Sequence, residues 1–191
     1  MSKTSELSVF IHDIAAMPLK PALSTVVKDH LIDTLGVAIA AASTSHVRSL
    51  LRTVRAFAPG GGSTVIGEAQ PAPLLEAIQV NAVMAHGIDF DDSHRFVHPG
   101  CAIVPTACGL AEAFHRSGSD LLKAILAGYE ASIRVSLAAG VAHRERGYHP
   151  TGTCNVFGAA GAGAVLGKLD TNLTESALGI AASHAAGLTQ Y

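Results

Sequence analysis

Apolar residues recur at spacings of three and four along most of the chain, the pattern of helices that bury one face. Leu23, Val26, Val27, Leu31, Leu35, Ala38 and Ile39 mark one side of a long helix. Pro21 opens it, in a first turn that has no use for the missing N–H. Behind Pro71 and Pro73, a second helix carries Leu74, Leu75, Ile78, Ala82 and Ala85 on one side. A third follows Gly118, with Ser119 or Asp120 as its cap and Leu122, Ile125, Leu126, Tyr129, Ile133 and Leu137 along it. Shorter helices are predicted near 7–16, 46–57, 102–117, 154–167 and 173–187. Only STVIG (63–67), after Gly60–Gly62, has an extended pattern, and it is expected to form a loop with one short strand. The expectation is an all-α array of about eight packed helices, rich enough in alanine and glycine for helix axes to approach closely.

Composition adds a constraint on partners. Hydrophobic residues make up 49% of the 191 and charged ones only 15%, which supplies little charge for the surface of a small monomer. A face buried against another subunit or against further chain is therefore expected. The formal charge is −2 and there is no basic patch, so nucleic acid is not an expected partner. Cys101, Cys108 and Cys154 form no CxxC pair, which fits free thiols in a reducing compartment. The N-terminus lacks a signal-peptide core, and the apolar run LGVAIAAAS from Leu35 is too short to span a bilayer. These features read as a soluble cytoplasmic protein with no membrane partner. The segment ESALGIAASHAAGLTQY reads as a fresh amphipathic helix that runs to Tyr191 without a polar tail, so the natural chain is expected to continue.

The polar residues are concentrated. HGIDFDDSHRFVHPG (86–100) holds three histidines, three aspartates and an arginine, in the loop predicted to follow the second helix. His86, Asp89, Asp91, His94 and His98 are all competent metal ligands, but no HExxH, CxxC or EF-hand spacing is present. DFDDS resembles the signature of aspartyl-phosphate phosphatases, yet no strand precedes it, and that reading is dropped. Two readings stay open. One is a metal-free acid-base site, in which a carboxylate orients a histidine poised near neutral pH and His98-Pro99-Gly100 holds the imidazole in a rigid turn. The other is a solvated loop whose histidines cap helices or pair with Asp91 and Asp92.

A second stretch, RERGYHPTGTCNVFGAAGAGAVLG (144–167), favours the acid-base reading. It sets His149 ahead of Thr151-Gly152-Thr153 and a small-residue helix, whose free amides and threonine hydroxyls would suit a carboxylate. Gly161, Gly163 and Gly167 follow no strand and lack the dinucleotide spacing, so they read as close helix packing.

Taken in order, IDTLGVAIA (32–40), VIGE (65–68), the 86–100 loop, AGYEASIR (127–134), GYHPTGTCNVFGAAGAG (147–163) and ALGIAASHAAGL (177–188) resemble the MmgE/PrpD family. Its members include 2-methylcitrate dehydratase, cis-aconitate decarboxylase and iminodisuccinate epimerase. The resemblance implies the N-terminal part (1–191) of a helical domain, with the α/β lid absent from this chain. It implies a dimeric lyase-type enzyme without metal or cofactor that moves a proton beside a carboxylate of a small di- or tricarboxylate, 2-methylcitrate dehydratase-like. By resemblance, Asp89, Ser93, His98 and His149 match pocket positions, Ser93 standing where threonine is common. His98 or His149 would transfer the proton and Asp89 would orient an imidazole or a substrate hydroxyl. Ser93, Asp92 and Thr151 would hold substrate. The family's pocket lysine falls beyond Tyr191, and Lys168 is no substitute. The 191 residues alone are therefore expected to be inactive, or else to serve as a non-catalytic partner subunit. A metal-dependent hydrolase is a distant third reading.

Overall fold

The computed structural model describes residues 2–189, and these form eight helices with no sheet. α1 (Lys3–Ala16) and α2 (Pro21–Ala41) lead to α3 (Ser45–Phe57), α4 (Leu74–His86) and α5 (Gly100–Ala113). α6 (Gly118–Glu145), α7 (Pro150–Gly167) and α8 (Thr171–His184) complete the array. The all-α expectation holds, and each predicted helix is present with shifted ends.

The shifts have local causes. α6 begins earlier than expected because Ser117 is its cap, accepting the Asp120 N–H while the Asp120 carboxylate takes the Ser117 N–H. α7 starts at Pro150 and so draws Thr151–Thr153 into its first turn. α8 stops at His184, short of the expected 187, and residues 185–189 are not helical, so the helix does not run on toward Tyr191; residues 190 and 191 lie outside the described residues. STVIG forms no strand. Ser63 and Ala72 exchange both backbone hydrogen bonds at 3.0 Å, and Pro71 and Pro73 on either side of Ala72 have no N–H with which to extend the pairing.

Two cores share α2 and α5. In the first, Ile11, Ile14, Ile103, Ile125, Leu166 and Leu178 join α1, α5, α6, α7 and α8. In the second, Val47, Leu51, Val65, Val80 and Met84 pack α3, α4 and the 63–72 loop against Ala38 of α2. α6 and α7 cross where glycine meets glycine, since a Cβ on Gly158 would stand 2.6 Å from the Gly128 carbonyl oxygen. α6 is long and apolar enough to cross a membrane by length and composition alone, but its Ala124–Tyr129 stretch is buried in the first core. Near its end, Gly140 leaves helical geometry (φ 69°, ψ −176°), a conformation that side chains with a Cβ avoid. This break turns the chain toward residues 147–149, ahead of α7.

Candidate functional site

α4 ends at His86, and residues 87–99 cross to α5 without regular structure. Asp89 adopts a left-handed conformation (φ 51°), tolerable for aspartate, which turns the chain so that Asp91 points inward. His94 and Val97 then exchange backbone hydrogen bonds at 2.9 and 3.3 Å across a tight turn with Arg95 also left-handed. The turn delivers His98 to the start of α5.

The Asp91 side chain is 0% exposed. Its two oxygens accept from His86 Nδ1 at 2.9 and 3.0 Å. His98 Nδ1 stands 3.5 Å from Asp91 Oδ2, buried and with no hydrogen-bond partner among the described residues. The His98 ring lies 5.1 Å from that of His86, and the His149 ring 6.5 Å from it. Asp89 is exposed at the edge, with a carboxylate oxygen within 4.8 Å of ligand-type atoms of His86, Asp91 and His98.

The backbone of His98 is held from three sides. Its N–H donates to Thr151 Oγ1 at 3.1 Å. Its carbonyl accepts from Asn155 Nδ2 at 2.7 Å and from the Cys101 thiol at 3.1 Å. Asn155 is steadied in turn by the Ser132 hydroxyl at 2.5 Å. His149 caps α7, and its N–H donates to the Gly187 carbonyl at 3.0 Å.

The environments push the imidazoles apart. The Asp91 hydrogen bond raises the pKa of His86 above the usual histidine value, against the opposing effect of burial. Burial alone would raise that of Asp91, but the bond and charge of His86 outweigh it and the carboxyl is lowered. For His149, burial comes first, followed by the charges of His86, His98 and Arg144, and its pKa falls. The Arg144 guanidinium lies 4.8 Å over the ring of Phe96, within the same loop.

The residues expected from sequence therefore divide. Asp89, His98 and His149 come together. Thr151 is buried behind them, its hydroxyl accepting from the His98 backbone, and Thr153 is bonded to His143 Nε2 at 2.8 Å and to the His149 carbonyl. Asp92 faces away from the cluster, paired with His30 Nδ1 at 2.7 Å and accepting the Gly100 N–H at 2.9 Å. Ser93 is exposed on the loop. Sequence reasoning weighed His86 and Asp91 only as metal ligands or solvated pairs, although they form the centre. It missed Asn155 and His30 altogether. The signal available for Asn155 was an amide side chain inside a helix otherwise of small and apolar residues, apart from the threonines of its first turn.

Residues 5–191 match the family model described as the MmgE/PrpD N-terminal domain. Cis-aconitate decarboxylase of Homo sapiens is 31% identical over 191 residues, which takes in 96% of this chain and 40% of the relative. The Mus musculus protein of the same name is 29% identical, over 96% and 39% of the two chains. A cis-aconitate decarboxylase-like protein of Aspergillus oryzae is 27% identical over 198 residues, 97% of this chain and 40% of its own. The chain thus spans about 40% of the length of these relatives.

Proposed function

The chain belongs to the MmgE/PrpD family, and on that premise we propose that it carries the acid-base half of a lyase site for a small di- or tricarboxylate. One observation carries the reading: a fully buried carboxylate, Asp91, grips one imidazole with both oxygens while a second imidazole waits 3.5 Å away. Paired groups with pKa values driven in opposite directions suit opposite roles. His86, raised, is the proton donor, and His149, lowered, is the base.

Two reactions fit this pair. In a decarboxylation the bond from carbon to a carboxylate breaks and CO2 leaves. The electron pair stays on the conjugated carbon skeleton, and the His86 imidazolium supplies the proton that quenches it. In a dehydration, His149 takes a proton from the carbon beside a carboxylate while His86 protonates the departing hydroxyl. The names of the relatives favour the first, on cis-aconitate or a similar unsaturated tricarboxylate. Arg144, held over Phe96, is the cation that would meet a substrate carboxylate.

The test is to follow cis-aconitate and 2-methylcitrate by proton NMR with the protein as its native source makes it. Turnover of either, abolished by Asp91→Asn and, for the dehydration, by His149→Gln, supports the reading. Full activity in both variants, or no turnover of any small di- or tricarboxylate, sinks it.

A second reading has one observation in its favour, the approach of His86, Asp89, Asp91 and His98 to within 4.8 Å of one another. A divalent metal there would replace the His86–Asp91 bond and support hydrolysis instead. Calorimetric titration with Zn²⁺ separates the two. Binding lost in Asp91→Asn supports the metal, and no heat removes it.

A further inference from the structure

Behind the cluster, a second set of polar groups closes around Asp92. Its Oδ1 accepts the Gly100 N–H at 2.9 Å, and its Oδ2 stands 2.7 Å from His30 Nδ1 on α2. The His30 ring packs 5.1 Å from that of Tyr129, whose hydroxyl is buried. Burial first, and then the Asp92 charge, hold the proton on that phenol. The Thr34 hydroxyl, donating to the His30 carbonyl at 2.9 Å, completes the group.

The space around Gly100 shows how tight this assembly is. A Cβ there would stand 2.6 Å from Asp92 Oδ1 and 2.7 Å from both the Thr34 and Tyr129 side-chain oxygens. No other residue type fits without moving one of them.

Chain order gives the arrangement its consequence. The Asp92–Gly100 bond joins two points eight residues apart. Asp91 lies just before one end of that closed loop, and His98 lies just inside the other. The separation of Asp91 from His98 is therefore set by a bond that neither side chain makes.

We propose that His30 and Asp92 are a positioning pair: they clasp the loop to α2 and α5 and thereby set the Asp91–His98 geometry. This rests on the reading of the Asp91 cluster, in which His86 is the proton donor, as the proton-transfer site. His30 aims the carboxylate, since with Oδ2 2.7 Å from the imidazole Nδ1, Oδ1 is the oxygen directed at the Gly100 amide. The pair makes no contact that a substrate would need. It acts through the backbone, and with Asp29, Asp33, Phe90 and Asp91 it lines a 460 Å³ hollow whose lining does not include His149.

The experiment reads the site histidines rather than turnover, so its failure is distinct from a failure of the lyase assignment. Imidazole ¹⁵N–¹H correlation spectra are recorded against pH for the native protein, Asp92→Ala, His30→Leu, His30→Asn and Ser117→Ala. Asparagine keeps an N–H donor close to the position of Nδ1, and leucine does not. Ser117→Ala removes the α6 cap, whose hydroxyl serves Asp120 and not the loop.

The expected result is that Asp92→Ala and His30→Leu bring the titration of His86 down toward the ordinary imidazole value and change the shifts of His98. His30→Asn restores the native curves, and Ser117→Ala leaves them unchanged. Unmoved His86 and His98 signals in Asp92→Ala and His30→Leu overturn the proposal. So does an equal change in Ser117→Ala, which would mark the effect as general loss of stability.

Discussion

Replacing Asp91 with asparagine keeps the volume of the side chain and one acceptor oxygen while removing its charge. In the native protein both carboxylate oxygens accept from His86 Nδ1 at 2.9 and 3.0 Å, on a side chain with no exposure. A hydrogen bond to a charged partner contributes about 1.5–3 kcal/mol and a neutral one about 0.5–1.5 kcal/mol. The expected loss is thus about 1–2 kcal/mol, or roughly 2–8 °C in Tm for a chain of this size. Its pH dependence follows from the two shifts. The folded-state pKa of His86 is raised, so its contribution is complete below the ordinary value of 6.5 and is lost as pH rises through the raised value. That of Asp91 is lowered, so its contribution is complete above the ordinary 3.8 and is lost as pH falls through the lowered value. The gap between native and variant protein should be widest between these two ordinary values and should shrink in alkali, where the buried carboxylate faces only a neutral imidazole. Urea unfolding at about pH 5.5 and about pH 9 measures it. A gap of equal size at both, or a larger one in alkali, refutes the ionic account of this pair.

Other outcomes follow from the same geometry. For a dehydration, with His149 lowered and His86 raised, kcat/KM should rise with pH through the first pKa and fall through the second. A decarboxylation, which needs only the His86 proton, should show the fall alone, and activity that rises through the His86 pKa would contradict both. Gly158→Ala places a Cβ 2.6 Å from the Gly128 oxygen and 2.8 Å from Ile103 Cδ1, so the urea midpoint should drop by the equivalent of about 1–3 kcal/mol. Thr151→Val leaves the His98 N–H without its 3.1 Å acceptor, and hydrogen exchange should show that amide losing protection, with a cost of about 1–3 kcal/mol. Ser117→Ala should cost about 1 kcal/mol in thermal unfolding through loss of the α6 cap.

The helices were legible because each buries one face, and the places where prediction slipped show what periodicity leaves out. On α2 the expected inward stripe included Val26 and Ile39, which are 50% and 62% exposed. The buried row instead runs Val27, Thr34, Ala38 and Ala41, with a threonine where a hydrophobic count sees a gap. Thr34 is buried because its hydroxyl bonds the His30 carbonyl one turn back, which satisfies it inside the core. The extended pattern of STVIG found a single partner residue between two prolines and could not propagate. Helix starts moved for a related reason, since Ser117 and Pro150 set them through hydrogen bonding and a missing N–H rather than through any apolar period.

In the loop, Asp89, Asp91 and Asp92 carry the same charge within four positions and meet three different environments. Asp89 is exposed, Asp91 is enclosed by two imidazoles, and Asp92 is tied to α2 and α5. No period separates them, because the path takes left-handed turns at Asp89 and Arg95 and brings Asp92 against His30, far earlier in the chain. What a sequence does expose is the requirement for compensation. A carboxylate taken out of water needs donors, and a helical chain with this little charge has few to offer. His86 meets that need for Asp91, and the Gly100 N–H with His30 beside it for Asp92. A buried Asp91 could have kept a single imidazole for stability alone. Placing a second imidazole beside it puts a buried Nδ1 with no partner among the described residues next to the carboxylate. Stability does not account for that arrangement, and the proposed proton transfer would use it.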